Sequence, residues 1–379
     1  MRAPVLTGTL LLSALTALAC SGGGGSDDSG LSATEQQSAD IEAYEVLQAQ
    51  LDQTRSEFLT SGRDGSLVAE SDTLYWLNYT NWDPTLHRWE EPTDRTIDYD
   101  LYISGDSYNY RVSDRMVVSV REEGGTVVYH AWDADSPDTL LGELEMPAPA
   151  DEQKWYAYAA DEEYVYILKT GEQTRLERWL PGEDETTLVT TLESAGVEVG
   201  ILWEFGVGSG GTEMVVIESG RIWWVDLLTN DATWLQNETE VRTWVEMSEA
   251  GVLFDTYDGL MFWDHQTSGL RNLSEELATH EYQLSVTYAV AHEYNETAGF
   301  TLYGSTVIYV GHYGLFAYDM KAGWIEPLLL NPRDLPRIDY RRPRILDSGL
   351  LFVEGLTSES GAVGSSGPIY AVESDLLLK

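Results

Sequence analysis

Ile222-Trp223-Trp224-Val225-Asp226-Leu227-Leu228-Thr229-Asn230, Leu260-Met261-Phe262-Trp263-Asp264-His265-Gln266-Thr267-Ser268 and Leu315-Phe316-Ala317-Tyr318-Asp319-Met320-Lys321-Ala322-Gly323 fall into one frame without gaps. Each runs on to a leucine, at Leu235, Leu273 and Leu328. Four or so apolar residues, an Asp, and a polar turn before a second apolar residue describe a β-hairpin. Asp suits the corner because its carboxylate accepts the backbone N–H groups two and three residues on. The same frame therefore predicts three hairpins of identical construction.

Looser copies occur on both sides of these three. Trp89, Trp132 (followed by Asp133) and Trp179 occupy the anchor position upstream, and Ile369-Tyr370-Ala371-Val372-Glu373 repeats it downstream. With Val225, Trp263, Tyr318 and Val372 these make seven anchors spaced 38 to 55 residues apart. Two strand-like runs precede each anchor, as in Trp155-Tyr156-Ala157-Tyr158 and Tyr164-Val165-Tyr166-Ile167-Leu168 ahead of Trp179. Four short strands per unit of about 40 to 50 residues is the pattern of a blade. The chain is expected to be all-β, a seven-bladed β-propeller, with six or eight blades left open. A four-stranded sheet that is apolar on both faces is buried only between two neighbours, and a ring supplies them.

Composition agrees. Thirteen Trp, 22 Tyr and 34 Gly against 12 Pro favour short strands and tight turns. The formal net charge of −42, from 22 basic and 64 acidic residues, speaks against nucleic acid and anionic lipid surfaces as partners, because phosphate contacts need a basic footprint. One cysteine in 379 residues leaves no disulfide to form within the chain.

That cysteine closes an export signal: Arg2, an apolar run from Val5 to Leu18, and small residues before a cut site. Ala17-Leu18-Ala19-Cys20 resembles the lipobox of bacterial lipoproteins, which implies a diacylglycerol on Cys20 after cleavage. Ser21 after the cysteine would then imply the outer membrane. Ala17-x-Ala19 also fits an ordinary signal peptidase, which would release a soluble protein. The reading divides the chain into a signal peptide over 1–19, a Gly/Ser/Asp linker over 20–32, a helix over 33–62 and a propeller over 63–379. The helix rests on Ile41, Tyr44, Leu47, Leu51 and Phe58, with Gly62 as its stop. The hairpin frame resembles the blade repeats of TolB-like propellers, and Leu74-Tyr75-Trp76-Leu77-Asn78-Tyr79 is similar to the Tyr-Trp repeats of YWTD-like ones. The Gly-His partner of WD repeats and the Asp-boxes of sialidases are missing.

Catalytic motifs are not evident. His87, His130, His265, His280, His292 and His312 show no HExxH or similar short ligand spacing, and no nucleophile elbow, Walker loop or dinucleotide fingerprint occurs. Asp133-x-Asp135-x-x-Asp138 starts like a calcium loop but has Pro137, Asp138 and Leu144 at the fifth, sixth and twelfth places. It reads as an acidic hairpin turn, with calcium as the alternative; no other cofactor or metal is expected. Arg333, Arg337, Arg341, Arg342 and Arg344 crowd five of the 22 basic residues into 12 positions. They suggest either an anion or acidic-partner site or internal pairing with the chain's own acids. The expected function is a lipid-anchored binding or scaffold module of the cell envelope for protein or carbohydrate. The alternative is a hydrolase or lyase with a carboxylate or metal site at the central channel.

Overall fold

The hairpin frame recurs because each copy is the outer half of a blade. The computed structural model describes residues 55–373, apart from 64–66, 81–82, 91–94, 100–109, 149–156, 198–201, 209–210, 236–239, 249, 257, 279–298, 312–313, 331–337 and 358–365. The described residues form 28 strands in seven four-stranded antiparallel sheets, so the molecule is a seven-bladed β-propeller. All seven anchors stand on the third strand of their blade: Asp83–Glu90, Thr126–Asp133, Arg175–Trp179, Arg221–Asp226, Gly259–Asp264, Gly314–Asp319 and Ser366–Glu373.

The Asp-led corners have the predicted chemistry. Asp226 Oδ1 accepts the amides of Leu228 and Thr229 at 2.8 and 3.1 Å, and Asp264 Oδ1 those of Gln266 and Thr267 at 2.8 and 2.9 Å. Asp319 Oδ1 takes Lys321 and Ala322 at 2.8 Å each. Asp133 does the same with Asp135 and Ser136, at 2.8 and 2.9 Å, so its first carboxylate is committed to an acidic hairpin turn. The Thr267 amide is the main reason the Asp264 carboxyl lies below its ordinary value. At Asp226 partial burial opposes the amides of Thr229 and Leu228, and the net shift is still downward.

Burial follows the ring. Seven apolar clusters of described residues lie one at each junction between adjacent blades; Tyr129 and Trp179, for example, fill the second junction, and Phe262, Tyr309 and Phe316 the fifth. At the junction of blades five and six the chain adds a helix, α1 (Leu273–Ala278), whose Leu273 and Leu277 are fully buried. Asn272 Oδ1 caps it by accepting the Glu275 amide at 3.1 Å. Its Glu276 takes hydrogen bonds from Arg271 and from the Tyr318 hydroxyl of the next blade.

The helix expected over 33–62 is corrected at its C-terminal end. Residues 33–54 lie outside the described residues, but Arg55–Arg63 is a strand, β1, paired antiparallel with β28 (Ser366–Glu373) from Arg55↔Glu373 to Arg63↔Ser366. The register shifts by one residue between Phe58 and Thr60. Three of the last four residues, Thr60, Ser61 and Gly62 before Arg63, are poor helix formers in an interior, and the open edge of the last blade offers them a full ladder of backbone hydrogen bonds. The seventh blade thus takes three strands from the C-terminal end and its outermost one from the N-terminal end. The propeller begins at 55, not 63.

Candidate functional site

The innermost strands, Val68–Glu70, Tyr110–Val112, Ala157–Ala160, Leu202–Val207, Val241–Ser248, Phe300–Tyr303 and Ile338–Ile345, surround the channel. Where each turns into the second strand, its corner reaches one face of the ring. Antiparallel order places the Asp-led corners of the outer hairpins on that same face.

Inside the channel, the arginine cluster is distributed unevenly. Arg333 and Arg337 lie outside the described residues, and Arg341 is placed only by its backbone in Ile338–Ile345. Arg342 and Arg344 are buried. One extra residue between Arg341 and Arg344 makes a bulge, and Arg342 adopts a left-handed φ of 47° within it. Arg342 Nη1 donates to Glu354 Oε2 at 2.8 Å, while Glu354 Oε1 accepts the Leu67 amide at 3.3 Å. Arg344 donates through Nε to the Leu67 carbonyl at 3.2 Å and faces Glu246 Oε1 of blade five at 3.5 Å. Burial lowers the Arg344 pKa, with Glu246 and Glu354 working against that shift. Burial also drives the nearby Tyr110 hydroxyl far up, so it stays protonated. These two arginines hold blades five, seven and one together across the channel.

The corner face is the opposite in character. The corners of blades seven, one, two and three bring Asp347, Asp72, Asp114 and Glu162 to one side of the channel mouth. A cleft of about 530 Å³ there is lined by Asp114, Arg115, Asp135, Glu162 and Glu163. Its walls are held from behind. Asp161 Oδ1 accepts the amides of Glu163 and Tyr164 at 2.8 and 2.7 Å, and its Oδ2 accepts the Tyr166 hydroxyl at 2.8 Å. Arg88, buried in blade one, donates to the Ala134 carbonyl and to Asp135 Oδ1 at 3.1 Å, and pairs with Glu90 at 2.8 Å.

Glu70 ends the innermost strand of blade one beside this cleft. Its carboxyl is pushed up to about 7, first by burial and then by the charges of Asp114, Asp347 and Glu162. Burial, Asp72 and Asp114 raise Asp347 as well. A carboxyl that titrates near neutrality among like charges marks a place where added positive charge is favourable.

Among the described residues the three histidines, His87, His130 and His265, do not converge. His87 stacks on Trp76 at 5.4 Å, His130 pairs with Glu143 at 3.0 Å, and His265 packs against Trp224 and Trp263. His280, His292 and His312 lie outside the described residues, as does Cys20. Among the described residues no group of three His, Cys, Asp or Glu side chains is arranged to hold a metal ion. Sequence reasoning missed Glu70 and its neighbours because each is one acid among 64, and only the blade register places their corners side by side.

No family model matches the chain, and no curated protein matches it by sequence. Solved structures do match. The β-propeller domain of Cps50 (Swd1) from Myceliophteria thermophila aligns with a TM-score of 0.51 at 14% identity, covering 84% of this chain and 98% of that one. An oligogalacturonate lyase in complex with manganese aligns with a TM-score of 0.54 at 10% identity, covering 86% and 99%. At these identities the likeness establishes one thing, the β-propeller fold.

Proposed function

We propose that the protein is a lipid-anchored binding propeller of the cell envelope, tethered through Cys20 and its Gly/Ser spacer, whose corner face receives a positively charged segment of a protein partner. The observation that carries this reading is the acidic cleft across blades two and three, next to a Glu70 carboxyl pushed up to about 7. Its carboxylates repel one another, and a Lys or Arg side chain inserted among them relieves that repulsion. The net charge of −42 adds long-range steering of such a partner. The channel arginines support a scaffold rather than a second binding site, since Arg342 and Arg344 face Glu354 and Glu246 of the same chain.

An arginine-rich decapeptide titrated into the mature protein, followed by fluorescence anisotropy, tests the reading. Asp114→Asn/Glu162→Gln/Glu163→Gln should weaken binding at least tenfold. Neutralising three exposed acids away from that face, Glu172, Asp258 and Glu326, should change it less than twofold. Equal losses from the two sets would show that only overall charge matters and would remove the site. Tethering is checked separately, by whether Cys20→Ala protein leaves the detergent phase.

One observation favours a second reading, a hydrolase or lyase acting at this face. A carboxyl titrating near 7, as Glu70 does, suits a general acid. Turnover of a substrate panel that Glu70→Gln abolishes without weakening binding would decide for it.

A further inference from the structure

We propose that the outer rim of the corner face carries an arc of four leucines, one on each of blades two to five, that seats the apolar side of an amphipathic, basic segment of a protein partner. Among the described residues five large apolar side chains are exposed: Leu140, Leu188, Leu228, Leu270 and Trp234. Trp234, paired with Trp223 and stacked on it, lies toward the opposite face. The four leucines all stand at the corner-face end of an outer hairpin. Leu140 begins the strand Leu140–Pro147, Leu188 is second in Thr187–Thr191, Leu270 is second in Gly269–Asn272, and Leu228 belongs to the Asp226 corner itself. Consecutive blades thus put one leucine each at the same level of the ring.

Folding does not ask for these side chains. For three of them the adjacent residue is the one that packs inward: Leu141 at the junction of blades two and three, Val189 and Leu227 at that of three and four. Leu228 makes the point most directly. Its slot, two residues after the corner Asp and with its amide given to that carboxylate, is filled by Asp135, Gln266 and Lys321 in blades two, five and six. The turn holds this side chain outward, and blade four places there a leucine that is 79% exposed. Single leucines scattered on a surface are ordinary, but a row at one level on adjacent blades marks a contact line.

Charge decides what the arc takes. Exposed acids sit beside the leucines, Asp138 before Leu140, Glu185 before Leu188 and Asp231 after Leu228, and the acidic cleft opens on the same face at blades two and three. A lipid surface covering the arc would strip water from these carboxylates, and a second copy would bring its own charge of −42 against them. A segment that interleaves apolar side chains with Arg or Lys meets both demands. Packed sheets lie about 10 Å apart, so the three steps between four blades span at least about 30 Å, the length of about 20 helical residues. The arc rests on the reading of the corner face as the receiver of a basic segment, and it supplies the apolar half of that partner's chemistry.

Two peptides of about 20 residues and equal positive charge test the arc by fluorescence anisotropy with the mature protein. One carries leucines along one helical face among its arginines; the other has serine for every leucine. The leucine peptide should bind at least tenfold more tightly. Leu188→Ser/Leu228→Ser, both at exposed positions, should reduce that preference to less than twofold and leave the serine peptide's affinity within twofold of wild type. Equal binding of the two peptides, or a preference that survives the double variant, overturns the arc and leaves the basic-segment reading standing. Binding of neither peptide overturns both. Leucine-dependent sedimentation of Cys20→Ala protein with phosphatidylcholine vesicles, or a dimer in analytical ultracentrifugation that the double variant dissolves, would assign the arc to a membrane or to a second copy and overturn the partner segment.

Discussion

Glu354→Gln is the substitution that most directly probes how the channel is held. The Glu354 and Arg342 side chains are 7% and 4% exposed and meet at 2.8 Å, so water screens the pair weakly. Removing one charge of a buried pair costs about 3–5 kcal/mol, because the other charge keeps its desolvation penalty. Gln retains an oxygen for the Leu67 amide, which places the expected loss near the lower end, about 3 kcal/mol. At roughly 2–4 °C per kcal/mol for a large domain, the melting temperature should fall by about 6–12 °C. Arg342→Met alone should cost a similar amount. The double variant, which removes both members of the pair and leaves Arg344 facing Glu246, should recover at least about 2 kcal/mol of the summed losses. Urea and thermal melts followed by tryptophan fluorescence give all four corners of the cycle. Losses that add within about 0.5 kcal/mol would refute the reasoning and free Arg342 for a ligand.

Trp179 is fully buried between blades two and three and donates from Nε1 to the Glu183 carbonyl at 2.8 Å. Trp179→Ala should cost about 3–5 kcal/mol and Trp179→Phe much less, in the same melts. A Cβ on Gly314 would lie 2.0 Å from the Leu329 carbonyl oxygen, and one on Gly251 equally close to that of Trp263, both at positive φ. Alanine at either should therefore abolish soluble expression or lower the melting temperature strongly. Gly124→Ala, whose Cβ would meet nothing within 4 Å, should cost about 1 kcal/mol. Acid acts on the Asp-led corners through their carboxylates. Asp264 has a depressed folded-state value, so its contribution is present above the ordinary 3.8 and is lost as pH falls below it. Asp264→Asn should flatten stability against pH in that range, as read from melts between pH 2.5 and 5.

By itself the sequence determined the class of fold and its period. Val225, Trp263 and Tyr318 precede an Asp, and the physical need for a carboxylate at a tight corner made the hairpins visible without coordinates. Alternating apolar runs ahead of each anchor then required a ring, because nothing else buries both faces of so many small sheets. Two things were decided only in three dimensions. Arg55–Arg63 carries residues that local preference reads as the end of a helix, and it becomes a strand because β28, over 300 residues later, presents an unpaired edge. Arg342 and Arg344 looked alike to Arg333 and Arg337 along the chain, yet a bulge turns them onto Glu354 and Glu246 from other strands. Glu70 carries the same lesson furthest. One carboxylate among 64 has no mark in the sequence, and its proton affinity is set by burial and by charges that three other blades bring to its side.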